Sequence, residues 1–390
     1  MRTIYFDNAA TSWPKPPEVL EAIGDCLAQA GGNPGRAGHR LSIAAARVVE
    51  ETRQLLADFF NAGDPSRIVF TQNATHALNV ALYGLLRPGD HVVTTSIEHN
   101  AVMRPLRDLE ARGVEMTVIS CQRDGTLPLE KVRLALRSGT RLLVTTHASN
   151  VLGTVMPIEE LAAAAHAVGA LCLVDASQTA GALPIDIEHT GVDLLAFTGH
   201  KALLGPTGTG GLFIRAGLEI APLMRGGTGS DSEREVQPGF HPDVHESGTL
   251  NVAGIAGLAA GVRFLQEIGI DAVVAHERTL VTEFRAHAAH IPGLTLYGPE
   301  DARRRCGVVS FNLEGASSSE IAQILDDSFG IMARAGLHCA PSAHRTAGTF
   351  PAGTVRFAFG WFNTSDEIAT ATAALGELAS WAARKVAWTV

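Results

Sequence analysis

The chain has 390 residues, 46% of them hydrophobic, enough to bury a large core and better suited to two domains than to one or four. A formal net charge of −9 and the lack of Lys/Arg-rich runs exclude a nucleic-acid surface built on phosphate neutralisation, and favour a small-molecule substrate. The start, Met1-Arg2-Thr3-Ile4-Tyr5, reaches Asp7 before any leader-like apolar stretch, and no run of about eighteen apolar residues follows, so a cytoplasmic protein with no membrane partner is expected.

In chain order, β-rich runs at 67–71, 91–97, 115–120, 141–148, 171–177, 193–198 and 210–215 alternate with segments whose apolar positions recur at helical spacing. That alternation predicts βαβ units and an α/β fold whose large domain is a mostly parallel, doubly wound sheet. Ligands of such sheets gather beyond the carboxyl ends of the strands, where Thr71, Asp175 and Thr198 fall. An Ala/Gly/Leu-rich helix is expected over 251–268. Strands over 308–313 and 354–360, with flanking helices, then predict a smaller α+β C-terminal domain. The glycine-rich stretch 226–242 has no period and is expected to be a loop near the mouth of the site.

After the first of these strands, Gln72-Asn73-Ala74-Thr75-His76 opens a helix with small residues. Ala74 and the Thr75 hydroxyl there can admit an anion to a helix N-terminus, though the turn reads equally well as an ordinary cap. His99 follows the next strand and fits either a proton-moving imidazole or a satisfied core histidine. Leu171-Cys172-Leu173-Val174-Asp175 is an apolar strand ending in a carboxylate that can hold a pyridinium nitrogen protonated, or can simply cap a helix. Phe197-Thr198-Gly199-His200-Lys201 ends another apolar run. A desolvated lysine at that position loses its proton easily and attacks a carbonyl. Together, in this order, Asp175 and Lys201 suggest pyridoxal 5'-phosphate, bound as a Schiff base on Lys201.

Arg356 lies on an apolar strand and needs an anion, either a substrate carboxylate held in a bidentate fork or a structural ion pair. The five cysteines, at 26, 121, 172, 306 and 339, are odd in number and contain no Cys-x-x-Cys pair, which argues against zinc ribbons and disulfide frameworks. Four read as structural thiols. Only Cys339 sits in a polar turn, after Arg334 and His338, where cationic neighbours favour a thiolate. A zinc site from His338, Cys339 and His344 lacks a second cysteine or carboxylate at ligand spacing, so no metal is expected.

Eight ordered segments then carry a resemblance. They are Tyr5-Phe6-Asp7-Asn8-Ala9-Ala10-Thr11, Asn33-Pro34-Gly35-Arg36, Glu98-His99-Asn100, Ser149-Asn150-Val151-Leu152-Gly153-Thr154, Val174-Asp175-Ala176-Ser177-Gln178, Gly199-His200-Lys201, Glu246-Ser247-Gly248-Thr249 and Arg334-Ala335-Gly336-Leu337-His338-Cys339-Ala340. With them the chain resembles, end to end, a fold-type I pyridoxal-phosphate enzyme of the class V aminotransferase group, most of all a cysteine desulfurase.

The resemblance implies a large cofactor-binding domain over 15–265, with 1–14 and 266–390 forming the small domain. It places the cofactor phosphate on the turn of Ala74 and Thr75, contacted also by Thr198 and His200. His76 departs there from the acidic residue common in relatives. His99 is implied to stack on the pyridine ring, Asn150 and Gln178 to bond the ring hydroxyl, and Asn150 also to contact substrate. Asn363-Thr364 belongs to the same signature as Arg356 and favours the substrate-carboxylate role. The segment ending in Thr249 is implied to enter the phosphate site of a homodimer partner.

The implied reaction converts L-cysteine to L-alanine. Lys201 takes the Cα proton, Cys339 attacks the substrate sulfur and keeps it as a persulfide, and an acceptor thiol or protein removes it. A selenocysteine lyase acting on L-selenocysteine would use the same residues. A class V aminotransferase, epimerase or C–S lyase would not need Cys339. A non-enzymatic cofactor-binding scaffold would lack the lysine or carry a further domain.

Overall fold

The computed structural model describes residues 3–35 and 37–387, so Arg36 of the second matching segment and the outermost positions of the expected small domain lie outside the described residues. Near the start of the chain, strand β1 (Ile4–Tyr5) carries Ile4 and the following Phe6 into a buried core. Seven strands then form the main sheet: β2 (Ile68–Thr71), β3 (His91–Thr95), β4 (Glu115–Ile119), β5 (Thr140–Thr146), β6 (Leu171–Asp175), β7 (Leu194–Thr198) and β8 (Gly210–Ile214). Their spatial order is β2-β8-β7-β6-β5-β3-β4.

Pairing is parallel from β4 through β3, β5 and β6 to β7. β8 is antiparallel to both its neighbours, so β2 runs the same way as β7. The short link 199–209 explains the reversal, because a parallel return needs a crossover of a dozen or more residues, usually a helix. Alternate residues of the strands feed two separate cores, as the period of two demands. Ile68, Phe70, Val174, Leu195 and Phe197 pack on one face, and Val69, Leu173, Leu194, Ala196 and Leu212 on the other. Both faces are covered, which is why these strands read as near-continuous apolar runs.

Three strands stop earlier than their apolar runs suggest. β3 ends at Thr95, whose hydroxyl turns to Glu98, and β6 ends at Asp175, whose carboxylate takes the Ser177 N–H and hydroxyl. β5 ends at Thr146, whose hydroxyl bonds the Ala148 carbonyl. At each, a polar side chain bonds its own downstream backbone or neighbour and closes the ladder.

Beyond the helix Val252–Ile268, a four-stranded antiparallel sheet holds β9 (Leu294–Leu296), β10 (Val308–Leu313), β12 (Arg334–Gly336) and β13 (Thr354–Ala358) in the order β12-β13-β10-β9, while β11 (Ile331–Met332) pairs in parallel with β1. Phe6, Phe284, Phe311, Phe357 and Phe359 cluster behind this sheet. The first residues of the chain therefore belong to a core built mostly from residues after 280. Among the described residues no helix is long and apolar enough to cross a membrane.

Candidate active site

The carboxyl ends of β2, β3, β5, β6 and β7 open on one side of the main sheet, and a cavity of about 270 Å³ lies there. Its wall includes Ala74, Thr75, His99, Asn150, Asp175, Gln178, Thr198, His200, Lys201 and Arg356. Strand ends far apart in sequence meet here because a doubly wound sheet gathers them along one edge.

One end of the cavity is built to receive an anion. The helix Ala74–Leu85 starts there, capped by the Asn73 side chain on the His76 N–H, and its first N–H groups, those of Ala74 and Thr75, have no intrahelical acceptor. The Thr198 hydroxyl and His200 Nδ1 are buried and unpartnered. β8 crosses close behind at Gly210, where a Cβ would stand 2.8 Å from Asn73 Cα.

At the other end, Asp175 accepts from the Ser177 N–H and hydroxyl through Oδ1 alone, leaving Oδ2 for a ligand. Between them is Lys201. Burial pushes its pKa down to about 8; Arg356 and Arg334 act in the same direction, while Asp175 and Asp7 oppose them. Four features together match the donor set that pyridoxal phosphate needs: orphaned donors at a helix N-terminus, a lysine that is easily neutralised, a carboxylate with a free oxygen, and the amides of Asn150 and Gln178. The group fits.

His99 caps the helix Asn100–Ala111, and its Nδ1 accepts from the Ala101 N–H at 3.0 Å. Burial pushes its pKa down to about 4. The ring is therefore neutral at pH 7 and carries its proton on Nε2. Behind it, Glu98 is fully buried between the Thr95 hydroxyl and the Thr146 N–H.

Arg356 is 1% exposed and does what both sequence readings allow. It pairs with Asp7 at 2.5 Å and donates to the Asn150 carbonyl at 3.2 Å, yet its Nε is buried without a partner and it lines the cavity. Arg334, opposite it on β12, also lines the cavity. Two guanidinium groups directly across a strand pair repel each other, and among the described residues Asp7 pairs with Arg356 while no carboxylate pairs with Arg334. The site is short of an anion.

Cys339 lies on the turn between β12 and the helix Pro341–Ala347. Its thiol is exposed, with an Arg334 Nη2 at 3.6 Å. The turn is held at both carbonyls: Asn150 Nδ2 donates to His338 at 2.7 Å, and the Asn100 N–H donates to Cys339 at 2.8 Å. Both His338 and Cys339 have left-handed backbone, with φ of 47° and 59°. For non-glycine residues that geometry persists only where its surroundings impose it.

Thr249 stands apart from the other candidates. It is exposed, bonds Asn33 at 3.3 Å and does not line the cavity of its own chain. The glycine-rich stretch is free of helix and strand as expected, and residues 225–232 and 234–238 line a cavity other than that of Lys201. Sequence reasoning passed over Asp7 and Ser177 as site residues, and read Arg334 and His338 only as neighbours of Cys339. Asp7 and His338 have side-chain partners set by tertiary contact, Arg356 and Thr354, while Ser177 bonds Asp175 two residues back; each of the four lies inside one of the eight matching segments.

The family model for aminotransferase class-V matches residues 4–370. A probable cysteine desulfurase of Methanothermobacter thermautotrophicus is 38% identical, covering 96% of this chain and 94% of its own length. One from Pyrococcus abyssi is 37% identical with the same coverage of both chains. Among solved structures, the apo cysteine desulfurase of Thermococcus onnurineus NA1 superposes with a TM-score of 0.91 at 36% identity, covering 97% of this chain and 95% of that one. A cysteine desulfurase of Escherichia coli in an S-sulfonic acid form gives a TM-score of 0.87 at 27% identity, with the same coverage.

Proposed function

This chain belongs to the class V aminotransferase family, and from that premise we infer that it is a pyridoxal-phosphate-dependent cysteine desulfurase that converts L-cysteine to L-alanine. The observation that carries the reading is the exposed Cys339 thiol 3.6 Å from Arg334, a residue that itself lines the cavity of Lys201 and Asp175. A transaminase or C–S lyase would have no use for a thiol held there on a strained, doubly anchored turn.

When bound, pyridoxal phosphate supplies a conjugated cation that withdraws an electron pair from the substrate's Cα. The N–H groups of Ala74 and Thr75, with Thr198 and His200, would hold its phosphate; Asp175 Oδ2 would keep its ring nitrogen protonated, and Asn150, Gln178 and His99 would bind the ring. Arg356, through its unpartnered Nε, binds the substrate carboxylate, with Arg334 adding positive charge. Lys201, with a pKa near 8, is neutral often enough to take the Cα proton and return it. The Cys339 thiolate attacks the substrate sulfur. The S–Cβ bond breaks with its electron pair left on Cβ, which takes a proton to become the methyl group of alanine. Cys339 keeps the sulfur as a persulfide until an acceptor thiol or protein removes it.

The protein acts as a homodimer, in which the exposed Thr249 segment completes the phosphate site of a second copy. The test of the function compares alanine and sulfide formed from cysteine by native protein and Cys339→Ala, with alkylation and mass spectrometry of Cys339. A labelled persulfide on native protein, and loss of alanine release in the variant, are expected. Unlabelled Cys339 together with native-rate desulfuration by the variant would overturn the reading.

A further inference from the structure

The chain segment 5–15 runs from the aromatic core beside β13 to the peptide that carries Lys201. At its near end Asp7 holds Arg356, and Asn8 Nδ2 bonds the Ala358 carbonyl at 2.9 Å. Its middle is tied by Gln178, whose Nε2 donates to the Ala9 carbonyl at 3.1 Å. Its far end converges on two consecutive carbonyls. The His200 carbonyl accepts from the Thr11 hydroxyl at 3.0 Å, the Ser12 N–H at 3.0 Å and Lys15 Nζ at 2.8 Å. The Lys201 carbonyl accepts from the Ser12 hydroxyl at 2.7 Å, and the Ser12 hydroxyl oxygen in turn accepts from Lys15 Nζ at 2.7 Å.

These two carbonyls belong to the peptide groups on either side of Lys201 Cα. Fixing both planes fixes φ and ψ of Lys201, and with them the direction in which its side chain leaves the backbone. One ammonium reaches both, directly at His200 and through the Ser12 hydroxyl at Lys201. Chains of this kind, headed by a charge, are stronger than the same bonds between neutral groups.

The ammonium is unusual in its surroundings. Lys15 is half-buried, and among the described residues no carboxylate pairs with it. Burial alone pushes its pKa down to about 8. Its partners are the His200 carbonyl and the Ser12 hydroxyl, neutral acceptors that a neutral side-chain amide could also have bonded without desolvating a charge. The ion is therefore in excess of what holding the loop requires.

We propose that Lys15 is a positioning residue for Lys201: its ammonium, with the Ser12 hydroxyl as relay, clamps the two peptide groups flanking Lys201 and so sets the direction of the reacting amine. The proposal rests on the assignment of Lys201 above, and its test separates the two. The protein is compared with Lys15→Met, Lys15→Arg and Ser12→Ala, each loaded with pyridoxal phosphate. Three readouts are taken: the visible circular dichroism of the bound cofactor, the rate at which cofactor-free protein captures it, and kcat and KM for cysteine.

In Lys15→Met, capture and kcat should fall by about ten- to a hundredfold, the range for losing a hydrogen bond to a charged group, with KM changed less than about twofold. The visible circular dichroism should weaken with them. Lys15→Arg, which can donate to both acceptors, should recover most of the loss, and Ser12→Ala should show a smaller loss in the same direction. If Lys15→Met does not fold, Ser12→Ala decides. Native dichroism and kcat in whichever variant is folded would overturn the proposal, as would equal impairment in Lys15→Met and Lys15→Arg. Native protein that neither captures the cofactor nor desulfurates cysteine would instead overturn the assignment of Lys201.

Discussion

Arg334 and Arg356 stand directly opposite each other on the antiparallel strands β12 and β13, and both line the cavity that holds Lys201. Asp7 pairs with Arg356 alone, at 2.5 Å, and no carboxylate pairs with Arg334 among the described residues. An incoming carboxylate would relieve this repulsion, so on the proposed reading the pair is expected to favour an amino-acid substrate over an amine.

Arg356→Ala should therefore lower kcat/KM for cysteine by a factor on the order of ten to a few hundred, since a charged hydrogen bond contributes about 1.5–3 kcal/mol. Lysine should rescue only in part, because it lacks the planar fork. Asp7→Asn separates binding from architecture: it breaks the ion pair but leaves the guanidinium, and should reduce kcat/KM less than Arg356→Ala does. Steady-state kinetics on folded variants checks this, and unchanged kinetics in Arg356→Ala would leave that residue a structural ion-pair partner only.

Asn150 bonds the His338 carbonyl at 2.7 Å from a loop nearly two hundred residues away in sequence. Asn150→Ala removes one of the two anchors of the strained Cys339 turn. Losing a buried hydrogen bond costs about 1–3 kcal/mol, so persulfide formation should slow by roughly five- to a hundredfold. Rapid-quench labelling of Cys339 measures it. The alkylation rate of the resting thiol should rise as the turn loosens.

Lys201 sets a pH dependence whose sign is fixed by its lowered pKa. In cofactor-free protein the neutral amine predominates above about 8, well below the point at which an ordinary lysine loses its proton. Capture of pyridoxal phosphate should rise with pH and level off just above 8. Between that value and the ordinary lysine value the unfolded chain keeps a proton that the folded one has lost, so the stability contributed by this group rises with pH. Asp175→Asn removes a carboxylate that raises the Lys201 pKa, and should move the capture midpoint lower. Stopped-flow absorbance across pH 6 to 10 reads both, on the order-of-magnitude span set by these groups.

Thr249 is exposed and lies outside the cavity of its own chain, so on the proposed reading it would serve the site of a second copy. Light scattering should give a dimer at assay concentration, with each copy completing the other's site. Thr249→Ala should release cofactor faster during dialysis without changing the dimer mass. A fully active monomer would contradict both expectations.

The alternation of apolar strands with helical segments was readable in the chain because β5 to β8 are buried on both faces and so are mostly apolar. Lys201, Asp175, Thr198 and His99 were readable too, since each ends or follows such a strand and the sheet brings strand ends to one edge. Strand direction at β8 was not drawn out, although the short link 199–209 already argued against a parallel return. The short strands β1, β9, β11 and β12 carry too few residues to show a period. Asp7 escaped because its partner lies far away in the chain, and Arg334 was legible only as a cationic neighbour of Cys339. An aspartate near the start and an arginine after residue 330 acquire meaning only when β13 brings Arg356 between them. Sequence fixes which chemistries each residue can perform, through its side chain and its neighbours along the chain. Long-range packing decides which of those chemistries meet, because distances between residues such as 7 and 356, or 15 and 201, exist only once the cores have closed.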